Sequence, residues 1–427
     1  AVAAAAAAPS SPRPFVCLSM RDKVTAADIA AECSQRRAQL QRSLAASSSR
    51  LPADAASPRA ALPVAFASFL LAPKVLDRSQ QELPLRVRFA SARRHHASCC
   101  AFVLAAPQSA PNNATSGSDK HWTTLRFKMP FDTASTEQIP GRTVPRHACN
   151  NRLATEVRFL AEVAAGKHSC AASTRFHVVF VDSDVLITGS LSPLFAQHAF
   201  GVAFTVRAHV TMPINNGLRL VSGSSQQSLD LALRFYQHWL AMLQVMLKAN
   251  DKAGNRAAER FMSGPVFWFE QKALALLLGP QLAAYSYAGE VAALLPPRAA
   301  LMLPGKHFNY GLHERWDEGA PHPCNDRRLG PKCGVAAIHF KGGSNKCGML
   351  RRPCLDLAGV RGGNLWFFRC RNESSTAAHA RSTTGGSAKT VPAATIEQRA
   401  RAELLLQRSK ALNTSSPRGS TRGRAPA

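Results

Sequence analysis

The chain has 427 residues and a hydrophobic content of 46%, enough to build one large folded domain or two ordinary ones. Its 53 Lys and Arg residues outnumber 26 Asp and Glu residues, and the formal net charge of +27 raises nucleic acid as a partner. The basic residues are scattered, however, and the sequence shows no zinc-finger, helix-turn-helix or aromatic RNA-binding pattern, which disfavours that partner.

Composition divides the chain into three parts. Residues 1–83 are rich in Ala, Ser and Arg, and residues 371–427 form a basic tail with few aromatic residues, so both are predicted to be largely disordered flanks. Residues 84–370 are predicted to form the folded domain. The apolar run at 61–73 is shorter than the roughly 20 residues that a membrane helix needs, and it contains two prolines.

The cysteines favour an oxidising compartment. Five of the 11 cysteines fall in one late segment without a C-x-x-C pair, which favours disulfides over a zinc site: Cys324, Cys333, Cys347, Cys354 and Cys370. Three N-glycosylation sequons, at Asn113, Asn372 and Asn413, agree with this environment. We therefore expect the protein in the lumen of the Golgi or of another secretory-pathway compartment, with the cytoplasm as the alternative. A membrane anchor upstream of residue 1 would agree with the lumenal location.

The predicted elements of the folded domain begin with strands. Residues 83–91 alternate in the manner of a half-buried strand, 99–107 form an apolar run that ends at proline, and 122–131 are a further strand candidate. Apolar residues at helical spacing predict a helix over 152–166 that ends at its glycine. Residues 177–181 then form the continuous apolar run of a strand buried on both faces of a parallel sheet.

Polar residues follow this buried strand. Asp182, Ser183 and Asp184 lie where the carboxyl end of the strand is expected, which is the edge at which doubly wound α/β sheets bind ligands. Two carboxylates two residues apart in extended chain project to the same side and can share one cation.

The carboxylate pair alone leaves several chemistries open. It could hold a divalent metal that neutralises a nucleotide diphosphate, or Asp182 could be the phosphorylated nucleophile of a phosphatase-like hydrolase. The hydrolase pattern lacks its usual turn residue and later acidic pair, and an EF-hand loop is excluded because Ile187 stands where that loop needs glycine. A solvated or salt-bridged surface pair is the remaining interpretation.

A second constellation lies far downstream. Residues 334–346 run from an apolar strand-like stretch into His339, then Gly342, Gly343 and Lys346. An imidazole is a natural third metal ligand, glycines let backbone amides approach a phosphate, and a lysine supplies a positive charge for a diphosphate. The two segments together predict a metal-diphosphate site.

Four segments in order resemble GT-A-fold nucleotide-diphospho-sugar glycosyltransferases, especially the glycogenin and galactinol-synthase type of family 8. FVDSDVLITGSLSPLF (residues 180–195) resembles the metal-binding segment, and PINNGLRLV (213–221) resembles the Asn-x-Gly segment of the donor pocket. FEQKAL (269–274) resembles the Asp-Gln pair with glutamate in the acidic place, and IHFKGGSNK (338–346) resembles the His-x-x-Gly-x-x-Lys element. The lysine comes one residue late, and Cys-Gly replaces the usual Pro-Trp after it.

The resemblance implies an α/β fold of the GT-A type, with a mostly parallel central sheet flanked by helices, and a metal-dependent transferase. Mn²⁺ or Mg²⁺ would be the cofactor, a UDP-sugar the donor, and a carbohydrate or glycoprotein hydroxyl the acceptor, with retention of anomeric configuration. It implies Asp182, Asp184 and His339 as metal ligands. It implies these residues for donor binding: Asp182, Ser183, Asn215, Gly217, Gly342, Gly343 and Lys346. It implies Glu270 and Gln271 as catalytic residues.

Residues 228–250 are apolar around much of a predicted helix, and core packing explains them better than an acceptor groove. Two rival functions remain beside the transferase. One is the phosphatase-like hydrolase with Asp182 as nucleophile, and the other is a non-catalytic basic protein that binds nucleic acid.

Overall fold

The computed structural model describes residues 62–71, 78–107, 122–139, 142–206, 214–251, 265–278, 292–293, 300–304, 308–312 and 335–340, with four isolated positions between 35 and 42. Within them, thirteen strands and five α-helices follow one another along the chain. The strands are β1 (Val64–Leu70), β2 (Cys100–Ala105), β3 (Thr123–Arg126), β4 (Thr136–Ile139), β5 (Arg142–Pro145), β6 (His177–Val181), β7 (Val185–Ile187), β8 (Val202–Val206), β9 (Ile214–Val221), β10 (Ala292–Ala293), β11 (Ala300–Pro304), β12 (Tyr310–Leu312) and β13 (Ala337–Phe340). The helices are α1 (Arg78–His95), α2 (Ala148–Ala164), α3 (Ser192–Gln197), α4 (Gln226–Asp251) and α5 (Phe269–Leu278).

An eight-stranded sheet forms the centre of the fold, in the order β10-β11-β8-β9-β6-β1-β2-β3. Strands β9 and β10 run antiparallel to their neighbours, and the other six run in one direction. The predicted α/β class with a mostly parallel central sheet is confirmed. A smaller sheet, β12-β13-β7, lies beside it.

Alternate residues of the central strands belong to two separate hydrophobic clusters, one on each face of the sheet. On β6, Val178 and Phe180 belong to the cluster that includes α2, α4 and α5, while Val179 and Val181 belong to the one that includes α1 and α3. Burial on both faces is why β6 reads as an unbroken apolar run.

Two sequence predictions are corrected at the start of the domain. Residues 83–91, predicted as a strand, lie in helix α1, where Leu85, Val87 and Phe89 are buried together with the alternating polar residue Arg88. The apolar stretch assigned to the disordered flank contains β1, which pairs with both β2 and β6 in the central sheet. The ordered domain therefore begins before residue 84, because a run too short for a membrane helix is long enough for a central strand.

Other predicted elements are confirmed. Helix α2 covers most of the predicted segment, and Gly166 follows it with φ +69° while its N–H donates to the carbonyl of Val163 at 3.0 Å. Helix α4 buries Phe235, Trp239 and Met242 in the core. No helix among the described residues is long and apolar enough to cross a membrane.

A disulfide joins Cys100, at the start of β2, to Cys170, in the turn after α2. The five late cysteines and the three sequons all lie outside the described residues, so the disulfides predicted for that segment stay predictions. The sequence contained no signal for the observed pairing, since the two cysteines are 70 positions apart.

Candidate metal centre

Two sheets bring the predicted metal ligands together. Strand β6 ends at Val181, and Asp182 and Asp184 follow it at the carboxyl edge of the central sheet. Antiparallel pairing of β13 with β7 then places His339 opposite Val185, next to Asp184. One ligand atom each from Asp182, Asp184 and His339 lies within 4.8 Å of the others. The structure thus assembles the trio predicted as metal ligands.

The imidazole of His339 is held in one orientation. Its Nδ1 lies 3.1 Å from Oδ1 of Asn215, and because an amide oxygen can only accept, Nδ1 is the donor. Nε2 therefore faces Asp184, whose Oδ1 lies 3.2 Å away. Asn215 is fixed in turn by Asn309, since its Nδ2 donates to the Asn309 carbonyl at 3.2 Å. The predicted donor residue Asn215 thus orients a ligand nitrogen toward the carboxylates.

His339 leaves no space for a side chain at Gly217. A Cβ at this position would lie 2.2 Å from His339 Nδ1, well inside any real contact distance. The Gly217 carbonyl also accepts the backbone N–H of Asp182 at 2.9 Å. The Asn-x-Gly segment therefore supports two of the three candidate ligands.

Arg152 joins the cluster to the predicted catalytic segment. From helix α2 it donates Nη1 to Asp182 Oδ1 and Nη2 to Glu270 Oε2, the latter at 2.8 Å. Burial alone would lower the pKa of Arg152, but Asp182 and Glu270 raise it above its ordinary value. The role of Arg152 was not predicted from the sequence, because an arginine near the start of a helix carries no local signal of the distant carboxylates that it contacts.

Glu270 lies at the start of α5 with its side chain fully buried. Besides Arg152, its carboxylate accepts Asn216 Nδ2 at 3.1 Å and Arg219 Nη1 at 3.4 Å. Its backbone carbonyl accepts Trp239 Nε1 at 2.8 Å, which fixes the start of the helix. Glu270 is thus a buried carboxylate with several hydrogen-bond partners, and its catalytic role stays a prediction.

The network continues away from the cluster. Arg219 Nη2 contacts Glu156 Oε1 at 2.6 Å, with both side chains at most 2% exposed. Burial raises the pKa of Glu156 to about 7, while Arg219 opposes that rise. Alternating charges thus run from Asp182 through Arg152, Glu270 and Arg219 to Glu156.

A further guanidinium lies behind the carboxylate pair. Arg88 of α1 is fully buried and donates Nη1 to the backbone carbonyl of Asp182 at 2.9 Å. Burial lowers its pKa to about 10, against the attraction of Asp184 and Asp182, so it remains a cation at neutral pH. When all groups are ionised, four carboxylates face three guanidiniums, and the cluster keeps one net negative charge: Asp182, Asp184, Glu156, Glu270, Arg88, Arg152 and Arg219.

The remaining predicted site residues divide in two. Ser183 is exposed between the two carboxylates, and Gln271 is partly buried on α5 next to Glu270. Gly342, Gly343 and Lys346 lie outside the described residues. Their roles, and the catalytic role of Gln271, stay predictions.

The donor set fits a divalent cation. Two carboxylates and one imidazole nitrogen, with the second ring nitrogen held by an amide, suit Mn²⁺ and accommodate Mg²⁺ through the oxygen ligands. With Glu156 ionised or protonated, the cluster carries at most one net negative charge, so a divalent cation makes it positive and the site then attracts an anion.

Comparison with known proteins returned no matching family model and no matching curated protein. Among solved structures, the galactosyltransferase LgtC in complex with donor and acceptor sugar analogues is 14% identical, with a TM-score of 0.37, over 71% of this chain and 99% of that one. An active-site mutant of LgtC is 13% identical, with a TM-score of 0.34 and the same coverage. The glycosyltransferase GlyE of Streptococcus pneumoniae TIGR4 is 11% identical, with a TM-score of 0.32, over 66% of this chain and 55% of that one.

TM-scores of this size do not carry a functional conclusion. Fold and site define an α/β protein with a candidate metal centre at the carboxyl edge of a mostly parallel sheet. The three solved structures are glycosyltransferases, the class that the sequence motifs resemble.

Proposed function

We propose that the protein is a glycosyltransferase that moves a sugar from a nucleotide-diphosphate donor, a UDP-sugar, to an acceptor hydroxyl with the help of Mn²⁺ or Mg²⁺. The observation that carries the proposal is the convergence of Asp182, Asp184 and His339 within 4.8 Å at the ligand-binding edge of the sheet. The motif resemblance supports it further: Asn215 contacts His339, and Glu270 is connected to Asp182 through Arg152.

The chain supplies the surroundings for this chemistry. Asp182, Asp184 and His339 would hold the cation, which when bound neutralises the charge that develops on a departing nucleoside diphosphate. Asn215 keeps His339 Nε2 directed at the carboxylates. Arg152, between Asp182 and Glu270, places a fixed positive charge beside the same edge.

The finer features of the proposal come from the motif resemblance. Gly342, Gly343 and Lys346 would bind the diphosphate, Gln271 would act at the reacting sugar, and the product would retain its anomeric configuration. The acceptor is a carbohydrate or glycoprotein, and the compartment is the secretory-pathway lumen. The disulfide between Cys100 and Cys170 supports an oxidising compartment.

Asp184→Ala tests the proposal. Asp184 faces His339 and is 8% exposed. Its replacement by alanine removes one of the three candidate metal ligands, and the remaining two should bind the cation more weakly. We expect Mn²⁺-dependent hydrolysis or transfer of a UDP-sugar by the wild-type chain, and its loss in the variant, measured by UDP release. Asp230→Ala, which removes a carboxylate from the surface of α4, is the matched control and should keep the activity.

Two results would contradict the proposal. Undiminished metal-dependent UDP release by a folded Asp184→Ala variant would remove Asp184 from the mechanism. Release of inorganic phosphate from a phosphomonoester without preference for UDP-sugars, abolished by Asp182→Asn, would instead identify the phosphatase-like hydrolase.

A further inference from the structure

Arg219 is a fully buried cation two residues beyond Gly217 on β9. Its side chain is 1% exposed, and its guanidinium lies over the ring of Phe180 at 5.7 Å. A buried charge in the central strand of a sheet costs several kcal/mol of desolvation unless its partners offset it. Its ion pairs among the described residues are with Glu156 and Glu270, the carboxylates that lie behind the candidate metal centre.

The partners of Arg219 connect it to the metal cluster through one intermediate. Arg219 shares the Glu270 carboxylate with Arg152, at 3.4 Å from Oε1, while Arg152 contacts Oε2 at 2.8 Å. Arg152 uses its other terminal nitrogen for Asp182. How strongly Arg152 is drawn to Glu270 therefore depends on how much of the Glu270 charge is already balanced by Arg219.

Glu156 completes the arrangement. It holds Arg219 Nη2 at 2.6 Å from helix α2, four residues after Arg152 on the same helix. The two arginines thus approach Glu270 from different elements, Arg152 from α2 and Arg219 from β9. Neither arginine can be removed without leaving a buried carboxylate short of a cation.

We propose that Arg219 is a positioning residue that sets the cation affinity of the Asp182–Asp184–His339 centre. By balancing part of the Glu270 charge, it leaves Arg152 available to neutralise Asp182, which weakens the binding of a divalent cation on its own. A metal bound weakly alone gains from the two negative charges of a diphosphate that arrives with it. This inference rests on the metal centre of the proposed function and adds a residue that controls it.

The proposal predicts that loss of Arg219 tightens Mn²⁺ binding, whereas general disruption of the site would weaken it. Without Arg219, Arg152 is the remaining arginine on Glu270 among the described contacts and shifts toward it, so Asp182 loses part of its counter-charge. The dissociation constant for Mn²⁺ should then fall by about three- to tenfold, the order expected for one unit charge acting through a protein interior. A merely structural residue would, on removal, loosen the site and raise that constant.

The experiment measures Mn²⁺ binding to the full chain, without nucleotide, by electron paramagnetic resonance of the free ion. Arg219→Met should bind Mn²⁺ more tightly than the wild type, and Arg219→Lys, which keeps the charge, should return toward the wild-type value. Arg158→Met is the matched control, because it removes an exposed arginine of α2 whose Nη1 donates to the Lys128 carbonyl. Its Mn²⁺ affinity should be unchanged.

A double variant tests the same role of Arg219 if Arg219→Met does not fold. In Glu156→Gln with Arg219→Met, the buried charges are removed as a pair, and tighter Mn²⁺ binding is again expected because Glu270 still loses its second cation. Unchanged or weaker binding in both variants overturns the role of Arg219 while leaving the metal centre intact. Absence of Mn²⁺ binding by the wild type overturns the proposed function itself, and with it this inference.

Discussion

At the scale of single residues, the site depends on a glycine, Gly217, where any side chain would clash with His339. Gly217 lies against His339 so closely that a Cβ would come within 2.2 Å of Nδ1 and 2.3 Å of Cε1. Asn215 accepts from the same Nδ1. The imidazole is therefore placed by a steric surface on one side and a hydrogen bond on another.

Gly217→Ala is expected to displace His339 and weaken Mn²⁺ binding about 10- to 100-fold, the range seen when supporting groups of metal ligands are lost. Gly166→Ala is the control, since φ of +69° strains an alanine there but nothing lies within 4 Å of its Cβ. The control should lose stability and keep its Mn²⁺ affinity. Equal Mn²⁺ affinity in Gly217→Ala and the wild type, by calorimetry, would contradict the assignment of His339 as a ligand.

Residue types predicted the metal trio but not the arginines around it. Asp182, Asp184 and His339 were recognisable because carboxylates and an imidazole follow apolar runs at strand ends. Arg152 and Arg219 carry no such local pattern. Their meaning depends on Glu270, more than fifty positions away, which only the folded chain brings near.

At the scale of elements, helix α2 and strand β9 are joined by the buried pair of Glu156 and Arg219. Burial raises the pKa of Glu156 from 4.5 to about 7 in the folded state, although Arg219 opposes the rise. The folded protein therefore takes up a proton on Glu156 more readily than the unfolded chain. The stability linked to this proton is fully present below about pH 4.5 and is lost as the pH rises through about 7.

Glu156→Gln should remove this pH dependence. Between pH 5 and pH 8 the wild type should lose up to about 3 kcal/mol of unfolding free energy that the variant does not lose. Urea unfolding at several pH values measures the difference, with Asp230→Asn as a control that should follow the wild type. Parallel pH profiles of the wild type and Glu156→Gln would show that Glu156 does not titrate in this range.

Elements were predictable where periodicity was clear. The apolar run of β6 and the helical spacing in α2 and α4 were interpreted correctly, because burial on one or two faces leaves a direct mark on the sequence. The strand prediction for residues 83–91 was wrong, because Arg88 alternates with apolar residues there as it would in a strand. In α1 this arginine is buried for its contact with Asp182, a tertiary cause that local pattern does not contain.

At the scale of the whole molecule, a disulfide ties the beginning of β2 to the turn after α2. Cross-links of this separation restrict the unfolded chain and stabilise the fold by about 4 kcal/mol in the chain-entropy account. Replacing Cys100 and Cys170 by serine should lower the melting temperature by about 10 °C. Cys99→Ser, which alters the neighbouring free thiol, should lower it less, and equal melting temperatures of the double variant and the wild type would argue against the cross-link.

The charge of the whole molecule and the charge of the site have different consequences. The chain carries a net charge of +27, which draws anions of every kind, whereas the Asp182–Asp184–His339 centre needs a cation before it can accept one. Nonspecific attraction by the basic surface is screened by salt and does not require Mn²⁺. Metal dependence therefore distinguishes specific donor binding from general basicity.

Calorimetric titration of UDP into the full chain at physiological ionic strength, with Mn²⁺ and then with EDTA, tests the central claim most directly. The account predicts one-to-one binding of UDP in Mn²⁺ that is lost in EDTA and in Asp184→Ala. UDP binding of equal strength with and without the metal, or no UDP binding in Mn²⁺, would contradict it.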